Sequence, residues 1–524
     1  MGLALVWSAG GPGGAARAAE PMEFIRVSSD GWNFETARTH QRFIPFGANL
    51  VFAYQGASAM PSLNLLTQPK WDPATIRRAF EGARLLHMNL MKVFLTTPEI
   101  LPDPQTNDRV ALAPLTPPLF ERLDTLFQIA HDNHIYISLT LAEWGMAGSR
   151  WFHDGGIFFG RQKEDGPGID SFAVYRNFWK VLAERTKHEP ALFSYNLAVE
   201  YTIPEPNWGA QKPDWRGKHA WFYQFNNRWG RLNWQRWLGA QYGGLGAIDA
   251  AWKTAYPRLE EIPQPQIAWN GTAYTLPQAM IADYNSFKEW TSYRFLKNQA
   301  DAIRAVDRGH MITAGMLPQH PALGWKGSAL YHAGILNPEL DFLDYTTVHI
   351  YTHPDDRKPG HGPFTRALHE GLLEARFAYY PGKPVIAEEL GHHVPDFRES
   401  LTESLALVHA LAGQVSGYQL WLLSDAGHDF GPLDQTLRPN AWGREWMKLA
   451  GPGGAVATLP RRRAPAQTTF KLVRLGGEAP IEDSAANKLL LDWDGVRQPV
   501  DFDWPLNPAI AQLHKESAAP HEHK

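Results

Sequence analysis

The sequence predicts an α/β chain in which eight parallel strands, each followed by helix, close into a (β/α)8 barrel. Three observations carry that expectation. Eight short apolar or β-branched runs recur between residues 43 and 423. Longer stretches of helical period lie between them, the alternation that marks βαβ units. No glycine-rich phosphate loop follows the first run, although an open doubly wound sheet would normally place one there.

Residues 1–20, MGLALVWSAGGPGGAARAAE, read as a leader outside the fold. A short apolar stretch precedes Ala16-Arg17-Ala18, the small-x-small pattern of a signal-peptidase site, but Gly10-Gly11-Pro12 interrupts it and no Lys or Arg comes before it. It points to a secreted or periplasmic protein through an incomplete signal.

The barrel is assigned to residues 21–450. Its strands are expected at 43–52 (FIPFGANLVF), 88–95 (MNLMKVFL), 135–142 (IYISLTLA), 192–200 (LFSYNLAVE), 310–317 (HMITAGML), 342–351 (FLDYTTVHIY), 384–391 (PVIAEELG) and 417–423 (GYQLWLL). Amphipathic helices are expected at 73–87, 118–134, 172–188, 284–306, 364–379 and 401–411. The longest interruption, about 201–281, follows the fourth strand and is dense in Trp, Pro and Asn. In a barrel of this type such an insertion lies over the C-terminal mouth, as a wall or lid of a cleft. Residues 451–524 open on a Gly/Pro/Ala linker whose three-Arg run reads as a solvated turn. Short alternating stretches after it predict a small β appendage and a disordered tail.

Composition narrows the function. With 54 acidic against 50 basic residues in 524, the net charge of −4 offers no field for a polyanion, so nucleic acid is a poor partner. No apolar run approaches the ~20 residues of a membrane span. The absence of cysteine excludes disulfides, a thiol nucleophile and a thiolate zinc site. Twenty-one Trp beside 17 Tyr and 26 Phe supply flat rings that suit sugar faces, or a large packed core. Oligomeric state is not legible.

In a (β/α)8 barrel the reactive side chains project from the C-terminal ends of the strands. Glu200 closes the fourth run and Glu389 stands near the end of the seventh. Carboxylates in such apolar settings must be paired, hydrogen-bonded or neutralised. Glu388, next to Glu389, is expected on the opposite face of its strand in a structural ion pair. His349 and Tyr351 alternate to one face. The pairs His349/His353 and His392/His393 match no compact metal-ligand spacing, so no metal and no cofactor is expected. No G-x-S-x-G elbow is present.

Asn196-Leu197-Ala198-Val199-Glu200-Tyr201, His349-Ile350-Tyr351 and Lys383-Pro384-Val385-Ile386-Ala387-Glu388-Glu389-Leu390-Gly391 together resemble the retaining glycoside hydrolases of clan A. The nearest look is family 5 (cellulases and mannanases), with features of the family 42 β-galactosidases, over about residues 40 to 450. The resemblance implies Glu200 as acid/base and Glu389 as nucleophile on a carbohydrate substrate. It also implies Asn49, Lys92, Glu143, Trp144, His349, Tyr351 and Trp421 around the sugar, with Trp208 in the insertion as a further platform. Two departures touch the reacting subsite. Val199 stands where the clan has an Asn, and Lys92 where it has an Arg, keeping the charge but losing the planar fork. A non-catalytic or weakly active sugar-binding homologue is therefore the alternative.

The expected chemistry is double displacement by two Glu, with carboxyl groups about 5 to 5.5 Å apart. Lys92 and Tyr351 are expected to keep Glu389 ionised, while repulsion from it raises the pKa of Glu200. A cation that permanently neutralised either Glu would make that residue structural instead.

Overall fold

The computed structural model describes residues 21–51, 65–66, 70–96, 117–142, 171–199, 228–264, 277–315, 342–352, 383–392, 404, 408, 411–424, 431–450, 460–462, 492–493 and 496–497. The leader, the linker, Glu143, Trp144, Glu200, Trp208 and the helix expected at 364–379 lie outside the described residues. So does most of the helix expected at 401–411 and of the C-terminal appendage.

Eight strands form one parallel sheet: β4 (Phe46–Asn49), β5 (Leu90–Thr96), β6 (Tyr136–Ala142), β7 (Leu192–Asn196), β8 (Met311–Thr313), β9 (Thr346–Thr352), β10 (Val385–His392) and β11 (Gly417–Leu420). Their order, β8-β7-β6-β5-β4-β11-β10-β9, is that of a nearly closed (β/α)8 barrel. Across the β8/β9 seam, Asp344 N–H donates to the Ile312 carbonyl at 2.8 Å and Thr313 Oγ1 to the Tyr345 carbonyl at 2.8 Å. Thr347 Oγ1 donates to the Ala314 carbonyl at 3.1 Å. Each strand coincides with an expected run, β5, β9 and β10 continuing one residue past its end.

Helices α1 (Pro73–Leu85), α2 (Pro117–Asn133), α3 (Ser171–Thr186), α4 (Arg228–Tyr242), α5 (Leu245–Trp252), α6 (Gln278–Arg304) and α7 (Ala441–Ala450) accompany the sheet. Asp72 caps α1 by accepting from the backbone N–H groups of Ala74 and Thr75, and Pro73 follows at a position that needs no donor. No described helix is long and apolar enough to cross a membrane.

The first expected strand is two elements. Pro45, which has no N–H to give a ladder, separates Arg42–Phe43 from Phe46–Asn49. Strand β3 (Arg42–Phe43) instead completes a three-stranded antiparallel sheet with β1 (Ile25–Val27) and β2 (Phe34–Thr36). That sheet plugs one end of the barrel. Ile25 and Phe34 are buried against Leu90, Tyr136, Phe193, Met311, Tyr345 and Ile386, which stand at or beside the starts of six barrel strands. The plugged end is therefore the N-terminal end, which leaves the C-terminal ends of the strands for a site.

In the three-Arg run Arg461 is exposed as expected, but Arg462 is not. Arg462 is only 2% exposed, its guanidinium lies 4.7 Å over the Trp32 ring and it donates to the Lys383 carbonyl. Its backbone exchanges hydrogen bonds with the Asn33 side chain. Burial lowers the Arg462 pKa to about 9. Further on, β12 (Asp492–Trp493) and β13 (Val496–Arg497) pair antiparallel.

The described part of the insertion is a helical layer packed on α6. Trp234 stacks on Trp237 and Trp252 at ring-centre separations of 5.7 and 6.0 Å. Asp283 of α6 accepts from Tyr242 Oη at 2.6 Å and Trp252 Nε1 at 2.7 Å. Burial and that carboxylate push the Tyr242 phenol up. These tryptophans serve as core.

Candidate active site

Above the hydrophobic plug the barrel interior turns polar in steps. Ser194 Oγ lies 2.9 Å from Ser138 Oγ and 2.8 Å from the Tyr345 phenol, whose pKa burial pushes up. Nearer the mouth comes a charged layer made of Lys92 from β5, Asn196 at the end of β7, His349 from β9, and Glu388 and Glu389 from β10, all buried. Ionised groups survive in such a layer only when paired and hydrogen-bonded.

A β-bulge organises this layer. Ala387 pairs with Val348, yet Glu389 pairs with the very next residue, His349, so Glu388 is an extra residue in its strand. Regular alternation would send adjacent side chains to opposite faces, whereas a bulge re-aims one of them. Glu388 and Glu389 both turn inward as a result. The expectation that Glu388 points away is corrected here, although it does form an ion pair.

The contacts are specific. Lys92 Nζ lies 3.1 Å from Glu389 Oε1 and 3.5 Å from Glu388 Oε2. His349 bridges the same two carboxylates, with Nε2 3.0 Å from Glu388 Oε1 and Nδ1 3.2 Å from Glu389 Oε2. Asn196 Nδ2 donates to Glu388 Oε2 at 2.9 Å, and its Oδ1 accepts the Gly315 N–H at 2.8 Å, which fixes the orientation of the amide. Gly315 has a reason to lack a side chain, because a Cβ there would meet Glu388 Oε1 at 2.7 Å. Burial alone would raise the Glu388 pKa, but the Lys92 charge and the His349 hydrogen bond outweigh it and hold it at about 2.

Glu389 is thus buried against a cation, the outcome named above as the mark of a structural residue, but Lys92 is shared with Glu388 and is not a private counter-ion of Glu389. Asn49, read from the sequence as a substrate contact, is buried, and its amide donates to the backbone carbonyls of Glu388 at 3.0 Å and Leu420 at 2.8 Å. It braces the bulge from β4. Tyr351 occupies the register position opposite Gly391, and its side chain lies outside the described part.

Beside the charged layer sits a separate apolar cluster of Val51, Phe94, Val199 and Leu422, with half-buried Trp421 packed on it. Phe94 and Trp421 meet edge to face at 6.4 Å, and Lys92 Nζ lies 5.2 Å from the Phe94 ring centre. The Trp421 backbone N–H is fixed to the Leu390 carbonyl at 3.0 Å, one residue past Glu389. Among the described residues, no group of three His, Asp or Glu is arranged to hold a metal ion.

Sequence reasoning missed Asn196, Gly315 and the inward turn of Glu388. A signal for the last was present: two adjacent acids in an otherwise apolar strand cannot both be solvated by regular alternation.

With this geometry in view, residues 173–386, from α3 into β10, match the family model for glycoside hydrolase family 42, described as beta-galactosidase. The fold is similar to a β-galactosidase from the psychrophilic Marinomonas ef1 (TM-score 0.52, 15% identity, 78% of this chain and 59% of that one). It is also similar to a β-galactosidase from Bacillus circulans sp. alkalophilus (TM-score 0.52, 15% identity, 77% and 55%). A family 42 β-galactosidase from G. stearothermophilus is a further such structure (TM-score 0.53, 15% identity, 86% and 61%). The chain spans less than two thirds of the length of each. No curated protein sequence matches it. The class that fold and matched stretch define is the clan A type of glycoside hydrolase barrel, without preference for family 5 over family 42.

Proposed function

We propose that the chain is a retaining β-glycoside hydrolase, with Glu389 as nucleophile and Glu200 as acid/base. The observation that carries this reading is Glu389 itself, a buried carboxylate in the mouth half of a barrel strand, held between Lys92 and His349 beside a half-buried Trp421. An enzyme needs such a group ionised and aimed before substrate arrives. In the first step a Glu389 oxygen bonds to the anomeric carbon while the bond to the leaving oxygen breaks, and Glu200 gives its proton to that oxygen. In the second, Glu200 takes a proton from water, whose oxygen displaces Glu389.

The apolar cluster around Trp421 supports a sugar ring as the occupant, because a pyranose presents C–H groups on its faces. The matched family model makes β-galactosides the first substrates to try, with oligosaccharides and polysaccharides of β-linked hexoses beside them. The leader-like first twenty residues support action outside the cytoplasm.

The test is Glu389→Ala. Hydrolysis of an activated aryl β-glycoside is expected to fall by orders of magnitude and to return in part with azide, which fills the vacated space and yields a glycosyl azide of inverted configuration. Undiminished turnover, or a loss that azide leaves untouched while the wild-type product shows inverted stereochemistry by NMR, contradicts the proposal.

A further inference from the structure

We infer that Glu388 is a positioning residue that keeps the His349 ring doubly protonated, so that Glu389 faces two fixed cations, Lys92 and an imidazolium. Its consequence for catalysis rests on the glycosidase reading; the charge assignment stands on geometry alone.

Both ring nitrogens of His349 face carboxylate oxygens, at 3.0 Å on the Glu388 side and 3.2 Å on the Glu389 side. A neutral imidazole carries one N–H and one lone pair, so it satisfies only one of them, and the other contact sets a lone pair against an oxygen. Two arrangements remove the conflict: an imidazolium between two carboxylates, or a neutral ring beside one protonated acid. The proton on the Glu388 side rests on the ring and not on the carboxyl, because the Lys92 ammonium 3.5 Å from Glu388 Oε2 and the Asn196 amide donating to that oxygen both favour the ionised carboxylate. Glu389 is the carboxylate nearer to Lys92, at 3.1 Å, and protonating it would set that ammonium against a neutral group. The imidazolium arrangement remains, with two cations and two anions in one buried layer.

Among the described residues, the titratable groups around the ring are Glu388 and Glu389 from β10, which it contacts, and Lys92 from β5, which pairs with both carboxylates; the Tyr345 phenol just before β9 hydrogen-bonds Ser194, and the Glu388 charge opposes its ionisation. Forming the glycosyl ester removes the negative charge of Glu389. Among the described residues, the layer with Glu388 present is then left with one excess positive charge, and without it with two. Glu388 is therefore the counter-charge that lets the ring keep its proton through the covalent stage, with Nδ1 3.2 Å from the Glu389 carboxyl.

The experiment is ¹⁵N NMR of histidine-labelled protein, with the His349 signals assigned from a His349→Asn spectrum, on wild type, Glu388→Gln and Glu388→Asp. The wild-type ring is expected to stay doubly protonated well above the ordinary histidine value of about 6.5. Glu388→Gln is expected to make it neutral at pH 7, and Glu388→Asp to keep the charge. In parallel, the basic limb of the kcat/KM profile should move down by about 1 to 3 pH units in Glu388→Gln and recover in Glu388→Asp, a movement that a purely structural role would not produce. A wild-type ring that titrates at or below the ordinary value, or a ring still doubly protonated in folded Glu388→Gln, overturns the inference. Should Glu388→Gln fail to fold, the wild-type titration decides. A charged ring in a protein that hydrolyses no glycoside would refute the glycosidase reading and leave this assignment standing.

Discussion

Taking away the ammonium of Lys92 would strand two carboxylates in a layer with almost no solvent access. Breaking a buried pair by deleting one partner commonly destabilises by about 3–5 kcal/mol, because the remaining charge has lost its water and its counter-ion. Lys92→Met, nearly the same length, is expected to lose stability on that scale in urea denaturation at pH 7. A loss under about 1 kcal/mol would show that the ion pairs matter little to the fold. Glu389 and Lys92 were legible in the sequence because a charged residue inside an apolar strand has few reasons to be there. The partners of Glu388 were not, since Asn196 and Gly315 lie 192 and 73 positions away from it (388 − 196 and 388 − 315) and meet it only across the closed barrel.

Two of the barrel helices end in the same unusual way. His87 after α1 and His134 after α2 adopt φ of 57° and 54°, a left-handed conformation that glycine normally supplies. In each case the closing residue's N–H bonds back two residues before the cap, and the next residue's bonds one further: His87 to Arg84 and Met88 to Ala83, then His134 to His131 and Ile135 to Ala130. The chain thereby turns straight from helix into the following strand. A β-carbon in that conformation costs about 1–2 kcal/mol, offset in part by the greater freedom of unfolded glycine. His87→Gly is expected to raise stability by a few tenths to about 1 kcal/mol, and His87→Ala to leave it unchanged or lower, both read from denaturation midpoints. A glycine variant less stable than the alanine one would show that the His87 side chain contributes more than its backbone strain removes. At this scale the eight strands were readable because parallel strands, buried on both faces, appear as unbroken apolar runs. The plug was not, because strands of two or three residues such as Ile25–Val27 and Arg42–Phe43 are too short to show a period.

Across the whole molecule, side-chain layers divide the labour. An apolar plug closes the N-terminal end, a hydroxyl layer of Ser138, Ser194 and Tyr345 sits above it, and the charged layer opens toward the mouth. Much of the tryptophan excess belongs to the framework: Trp179, Trp234, Trp442 and Trp446 are fully buried, while among the described tryptophans Trp421 alone joins the apolar cluster beside Glu389. The central claim is that Glu389, and not its neighbour Glu388, becomes bonded to sugar. Incubating the protein with a panel of activated 2-deoxy-2-fluoro β-glycosides slows the second step and leaves the sugar attached, and peptide mass spectrometry then locates it. The account predicts stoichiometric label on Glu389 with loss of activity. Label on Glu388, or continued retaining hydrolysis of ordinary substrates with no residue of the 385–392 strand ever labelled, would contradict it.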